Sequence, residues 1–244
     1  MRDLSAETRI GLEALGLRIG RNGGTLLDVP RLVFDGPGPT LILGPNGAGK
    51  SLLLRCLHGL IKPDAGQVRQ DGAPLGPAQK ARQAMVFQQP VLLRRSVAGN
   101  LDFVLRRRGM VRATRKDRIA ALLAEGGLSD KARQSARSLS GGEAQRLAIL
   151  RALATEPDIL FLDEPTSALD PAATLAIERM VLRASAQGVR IVMVSHDIGQ
   201  ARRLAADAAM MQGGRVVEHG PASEVLETPK SEAARRYLAG GLIL

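Results

Sequence analysis

Thr40-Leu41-Ile42-Leu43-Gly44-Pro45-Asn46-Gly47-Ala48-Gly49-Lys50-Ser51 passes from a short apolar strand through a glycine-rich loop into a helical pattern that runs to Leu60. The spacing is that of a phosphate loop between a strand and a helix. Its glycines let the main-chain N–H groups of Gly44, Pro45, Asn46, Gly47, Ala48 and Gly49, proline excepted, close around an anion. Lys50 then reaches the terminal oxygens of a bound triphosphate, and the Ser51 hydroxyl is suited to ligate Mg²⁺. A plain glycine-rich turn is the alternative, and the Lys-Ser pair in strand-to-helix context argues against it.

Outward from this loop, other apolar strands end in chemistry-bearing residues. Ile159-Leu160-Phe161-Leu162 runs into Asp163 and Glu164. Asp163 is placed to hold Mg²⁺ through water, which leaves Glu164 to polarise an attacking water. His196 follows the strand Ile191–Ser195 at the edge where open α/β sheets bind ligands, which favours contact with a γ-phosphate over a structural role. Gln88 ends the strand Ala84-Met85-Val86-Phe87, and its amide can bridge Mg²⁺ or the attacking water to a moving neighbour. Leu139-Ser140-Gly141-Gly142-Glu143 opens the helical pattern Glu143–Thr155, with Ser140 as N-cap and two glycines leaving donors open to an anion.

The 244 residues suffice for a substantial core, and the single cysteine, Cys56, sits among Leu54 and Leu57 as a packing residue. One thiol excludes an internal disulfide and fits a reducing compartment. No apolar run reaches the roughly eighteen residues of a membrane span, and Met1-Arg2-Asp3-Leu4-Ser5 lacks the apolar stretch of a signal peptide. The net charge of +10 favours acidic partners. Nine basic residues fall between Arg94 and Arg118, opposed only by Asp102 and Asp117, forming either a solvated face or a docking surface. Aromatics make up 2% of the chain, too few for base-stacking platforms, so no nucleic-acid partner is expected.

The first forty residues read as short strands around turns, with Asn22-Gly23 a hairpin signal and Gly36-Pro37-Gly38-Pro39 a loop. A short strand surrounds Val68. Gln89 to Ser138 is helical and basic without a comparable strand, so it reads as an insertion. The α/β alternation then resumes with a helix from Pro171 to Gln187, which has Asp170 as N-cap, Ile177, Met180, Val181 and Ala184 at helical spacing, and Gly188 as its stop. Met210–Val217 forms a hairpin and a pair of short helices ends the chain. Apolar strands alternating with helices imply a mainly parallel sheet covered on both faces.

In order and spacing, the phosphate loop, Gln88, Leu139–Glu143, Asp163-Glu164, Ser167-Ala168-Leu169-Asp170 and His196 resemble the ATP-binding cassette (ABC) ATPases along nearly the whole chain. The resemblance implies an α/β phosphate-loop NTPase core with an N-terminal antiparallel β subdomain. It implies one ATPase domain over residues 1–244, with a helical subdomain at about 89–142. It further implies that two such subunits pack head to tail around ATP and Mg²⁺. Ser140, Gly141 and Gly142 would then donate to a γ-phosphate held by the partner's phosphate loop, and Asp170 would lie at the seam. Two positions depart from the family: Glu143 stands where Gln is usual, and the adenine-stacking aromatic expected around Ile19 to Asn22 is missing. Ile19, Arg21 or a peptide plane remain as substitutes.

Soluble members of the family usually carry two cassettes or a long coiled coil, and this sequence has neither. Exporters of this size exist, but the details are closer to importers. Gln88–Asn100 and His196–Arg203 resemble the ATP-binding subunit of tungstate importers, and the short tail to Leu244 lacks the regulatory domain of many molybdate-importing relatives. The resemblance implies permease subunits and, through them, an extracytoplasmic solute-binding protein as partners. It places the chain as a peripheral subunit on the cytoplasmic face of the membrane.

Overall fold

The computed structural model describes residues 11–21 and 23–240. The signal-peptide reading at Met1–Ser5, Asn22 of the hairpin signal and the tail at Leu244 lie outside them. The chain forms two compact units, one from residues up to Lys80 together with those from Val194 onward, the other from Ala81–Met193.

The first unit opens with β1 (Leu12–Arg21) and β2 (Gly24–Phe34), an antiparallel pair in which Arg21 faces Gly24. These are longer than the short strands the sequence suggests, because two apparent breakers are tolerated. Gly16 takes φ +62° and drops out of the pairing opposite Pro30, while Leu15 and Leu17 remain in register. Pro30 lies on an edge strand, where its missing N–H costs no ladder bond. β3 (Thr40–Leu43) and α1 (Lys50–Leu57) follow, then β4 (Ala65–Gln70), the two-residue β5 (Ala73–Pro74) and the short α2 (Pro77–Ala81). β4 pairs with β1 and β5 with β4, giving an antiparallel sheet in the order β2-β1-β4-β5.

The helical pattern to Leu60 outruns α1 for a local reason. Gly59, at φ +75°, gives its N–H to Cys56, and Leu60 gives its own to Arg55. That is a Schellman stop, so Leu60 is the apolar residue just past the helix rather than its last turn.

The second unit contains β6 (Gln83–Val86), α3 (Val97–Arg107), α4 (Arg112–Glu125), α5 (Gly141–Leu153), β7 (Ile159–Asp163), α6 (Pro171–Ala186) and β8 (Arg190–Val194). β6 and β7 are parallel, Val86 facing Leu162, and β7 neighbours β8. Every residue of β7 and β8 is buried, which is why both read as unbroken apolar runs. α5 packs on β6, α3 and α6. In α6 the expected face of Ile177, Met180, Val181 and Ala184 is buried, and the Asp170 carboxylate accepts the Ala173 N–H at 2.9 Å. Between Gln89 and Ser138 the described elements are α3, α4 and single 3-10 turns at Ser129–Lys131 and Ala136–Ser138.

α7 (Ile198–Leu204), β9 (Asp207–Gln212), β10 (Arg215–Pro221), α8 (Ala222–Glu227) and α9 (Glu232–Leu238) complete the first unit. β3 and β9 are parallel, and β9 turns antiparallel into β10. Gly213 and Gly214, at φ +53° and +78°, make the tight turn. The architecture is mixed α/β, with an antiparallel N-terminal sheet and parallel-rich strands, as the sequence pattern implies. Cys56 is buried, and burial pushes its thiol up to about 11.

Candidate functional site

In the first unit the chain leaves β3 directly into the phosphate loop. Gly44 takes φ +143°, and a Cβ there would stand 2.2 Å from the Met211 carbonyl oxygen, so only glycine fits. Gly47, at φ +80°, faces open space. Gly49 begins α1 at φ +93° without a side-chain cap, which leaves the first-turn N–H groups for an external acceptor. The buried Lys50 ammonium donates to the carbonyls of Gly44 and Pro45 at 2.8 and 2.9 Å. The loop is thus a glycine cradle braced from within by its own lysine, and it fits a polyphosphate.

The His196 turn adjoins the root of this loop. Ser195 donates its N–H to Ile42 at 3.2 Å, two residues before Gly44. The Ser195 hydroxyl donates to Gln200 at 2.9 Å and accepts from the Asp197 N–H at 3.1 Å, while Asp197 caps α7. His196 itself is exposed, just beyond β8, which ends at Val194. Its main-chain oxygen accepts the Tyr237 hydroxyl of α9 at 3.1 Å. Sequence reasoning missed Tyr237, for no local pattern marks a tie across 41 residues.

In the second unit Asp163 and Glu164 are chemically unlike neighbours. Asp163, the last residue of β7, is 3% exposed. Glu164 is half-buried and sits at φ +46°, a left-handed conformation that costs a non-glycine residue about 1–2 kcal/mol. Ser167 holds this turn, giving both its N–H and its hydroxyl to the Glu164 carbonyl at 3.2 and 3.1 Å. Gln88 leaves the sheet at the same edge, since β6 and β7 run parallel. It does not end the strand as the sequence suggests: β6 stops at Val86, and Gln88 is exposed in a bend two residues on. The break follows from Phe87, whose carbonyl turns to accept the Gln145 side chain of α5 at 3.2 Å.

The Leu139–Glu143 turn starts α5, as its capping residue implies. The Ser140 hydroxyl accepts the Glu143 N–H at 3.4 Å, and the Glu143 carboxylate accepts the Ser140 N–H at 2.9 Å, a reciprocal capping box. Gly142 has a second reason to be glycine: a Cβ there would lie 2.7 Å from the Ala173 side chain of α6. The α6 N-terminus, with Asp170 as its cap, therefore packs against this turn. The Leu139–Glu143 signature turn and Asp170 are brought together in the second unit; the phosphate loop and His196 belong to the first. Ile19 is half-buried and Arg21 exposed in β1, with no aromatic beside them in the strand. Among the described residues no group of three or more His, Cys, Asp or Glu is arranged as a metal cage. Mg²⁺ needs none where phosphate oxygens and waters supply most of its ligands.

Residues 38–167 match the ABC transporter family. The chain is 38% identical to the phosphate import ATP-binding protein PstB 2 of Natronomonas pharaonis, covering 96% of this chain and 88% of that one. It is 39% identical to the methionine import ATP-binding protein MetN of Corynebacterium jeikeium, over 82% of this chain but only 57% of the relative's length. Among solved structures, cbiO1 of Clostridium perfringens, part of the ABC transporter complex cbiONQ, superposes with a TM-score of 0.80 at 28% identity, covering 89% and 91% of the two chains. The chain belongs to the ABC transporter family, and it is an ATPase. Within the family it is an ATP-binding subunit of the import type.

Proposed function

We propose that this chain hydrolyses ATP to power oxyanion uptake, with tungstate the first cargo to test, as a peripheral subunit on the cytoplasmic face of the cell membrane. The observation that carries the chemistry is Glu164, held in a strained turn by Ser167 next to the buried Asp163. In this reading Glu164 polarises the attacking water and His196 contacts the γ-phosphate. Lys50 and the N–H groups of Gly44–Ser51 bind the phosphates. Ser51, Asp163 and Gln88 hold Mg²⁺, which when bound offsets phosphate charge.

We further read residues 1–244 as one ATPase domain with a helical part at about 89–142. Two copies close head to tail on ATP, so that Ser140, Gly141 and Gly142 donate to the γ-phosphate held by the other copy, with Asp170 at the seam. Closure moves the helical part and the Gln88 segment, and permease subunits docked there pass the movement to the transport path. An open cavity of about 800 Å³ between α3 and α4, lined by Arg106, Arg112 and Lys116 and by Asp102 paired with Arg115 among others, suits a docked segment bearing acidic groups. The cargo reading is supported by the Gln88–Asn100 and His196–Arg203 segments and by a relative named for phosphate, itself a tetrahedral oxyanion.

The test is to isolate the intact complex from native membranes and reconstitute it with its solute-binding protein. ATP hydrolysis is then compared with tungstate, molybdate, sulfate, phosphate and methionine. Tungstate is expected to stimulate at the lowest concentration. Stimulation by methionine alone would replace the oxyanion reading, and stimulation by DNA or ribosomes without a membrane partner would replace transport altogether.

A further inference from the structure

We propose that Lys131 is a positioning residue for the signature turn, holding and neutralising Glu143 so that the turn accepts a γ-phosphate; this rests on the in-trans role given to Ser140, Gly141 and Gly142 above. The two carboxylate oxygens of Glu143 are divided between two tasks. One accepts the Ser140 N–H at 2.9 Å, and the other accepts the Lys131 ammonium. Both side chains are partly shielded, 17% and 30% exposed. Lys131 comes from the 3-10 turn Ser129–Lys131 that links α4 to α5, and Arg146 of α5 fastens the same link by donating to Gly126 at 3.0 Å.

The electrostatic problem follows from the residue type. A carboxylate in the first turn of a helix is favourable by itself, because it faces the positive dipole end. A γ-phosphate brought to Gly141 and Gly142 competes for that same end and meets a like charge. The hydrogen bond from Lys131, followed by that from the Ser140 N–H, pushes Glu143 down to about 2, so protonation does not remove the charge at working pH. Lys131 does remove it, pairing a cation with the anion inside one helical turn. A glutamine at 143 could serve the cap through its oxygen, but its NH₂ would then face the Lys131 ammonium, donor against donor. Glu143 and Lys131 therefore suit each other, and a glutamine at 143 would suit a turn without the Lys131 ammonium.

The test uses the purified chain in a double-mutant cycle of ATP hydrolysis. Lys131→Met is expected to raise the ATP concentration for half-maximal hydrolysis by about tenfold at low salt, with the deficit shrinking at high salt as like charges are screened. Lys131→Arg is expected to retain activity, and Glu143→Gln added to Lys131→Met to restore it to within about threefold. A salt-independent loss that Glu143→Gln does not relieve would reduce Lys131 to a structural tie and overturn the proposal. Gel filtration of Glu164→Gln over a range of ATP concentrations separates the two levels. A dimer that forms with ATP, but needs more of it when Lys131→Met is added, is expected. Dimerisation at unchanged ATP concentrations overturns the role of Lys131 alone, whereas no dimer at any ATP concentration overturns the two-copy reading and this proposal with it.

Discussion

The side-chain amide of Gln145 donates to the main-chain oxygen of Phe87 across 3.2 Å, tying the second turn of α5 to the residue before Gln88. Gln145 is 2% exposed while Phe87 reaches solvent, so the bond is partly buried. Gln145→Leu keeps the volume and removes the bond, a net loss of about 1 kcal/mol. Melting temperature should fall by a few degrees, roughly 2–4 °C per kcal/mol in a chain of this size. If the bond also links the signature helix to the Gln88 segment, stimulated ATP hydrolysis in the reconstituted complex falls more than basal hydrolysis. An unchanged ratio of the two limits Gln145 to packing.

What was legible in the sequence, and what was not, divides by the range of the cause. β3, β7 and β8 are apolar runs bounded by turn or charged residues, and the Asp170-Pro171 start of α6 is a local cap, so each is written in consecutive residues. The Ser140 cap is local too. Gly142 invites a reading as an anion donor, yet its contact with Ala173 lies 31 positions away and leaves no periodic trace. The same holds for Gln145 with Phe87 and Tyr237 with His196, single hydrogen bonds over long separations. β5 and α2 escape because two and five residues are too few to show a period. Buried Asn100 escapes because polarity suggests surface, whereas its side chain accepts the Leu93 N–H at 2.9 Å and donates to Leu93 and Ser96 carbonyls.

Glu164 makes opposite demands on chemistry and backbone. Glu164→Gln should keep ATP binding and lower turnover by about two to three orders of magnitude, trapping an ATP-bound dimer visible by gel filtration. Glu164→Gly should be equally inactive but at least as heat-stable as the parent, because glycine relieves about 1–2 kcal/mol at φ +46° against an unfolded-state cost of about 0.4–1 kcal/mol. A Gly variant that melts well below the Gln variant would show that the Glu164 side chain supports the fold rather than being tolerated by it.

The basic stretch is not one surface. Arg108 lies 3.8 Å from Glu156, Arg115 is held by Asp102 at 2.6 Å, and Arg95 and Arg107 stack over Phe103. Reversing those would disturb the unit itself. Arg106, Arg112 and Lys116 are exposed and line the α3–α4 cavity. Arg106→Glu, Arg112→Glu and Lys116→Glu combined should release the chain from membranes carrying its permease while leaving basal ATP hydrolysis within about twofold, as surface changes away from a core generally do. Retention on the membrane at wild-type levels would return these residues to a solvated face.

The Glu143 carboxylate also sets a pH dependence whose sign is fixed. Its folded value, pushed from the ordinary 4.5 down to about 2 by Lys131 and the Ser140 N–H, lies below the unfolded one. The stabilisation is therefore complete above pH 4.5 and is lost as pH falls from there through about 2. Other ion pairs, such as Arg82 with Asp158 and Arg115 with Asp102, also contribute to stability, so the absolute melting curve does not isolate the effect. The difference between the parent and Glu143→Gln does. Melting temperatures measured every half unit between pH 6 and 3 should show a gap of about 1–3 °C at pH 6, the scale of a pair worth no more than about 1 kcal/mol, narrowing below pH 4.5. A gap that stays constant to pH 3 would mean that the carboxylate supports the turn through shape alone, since a neutral amide would then serve the cap equally badly at every pH.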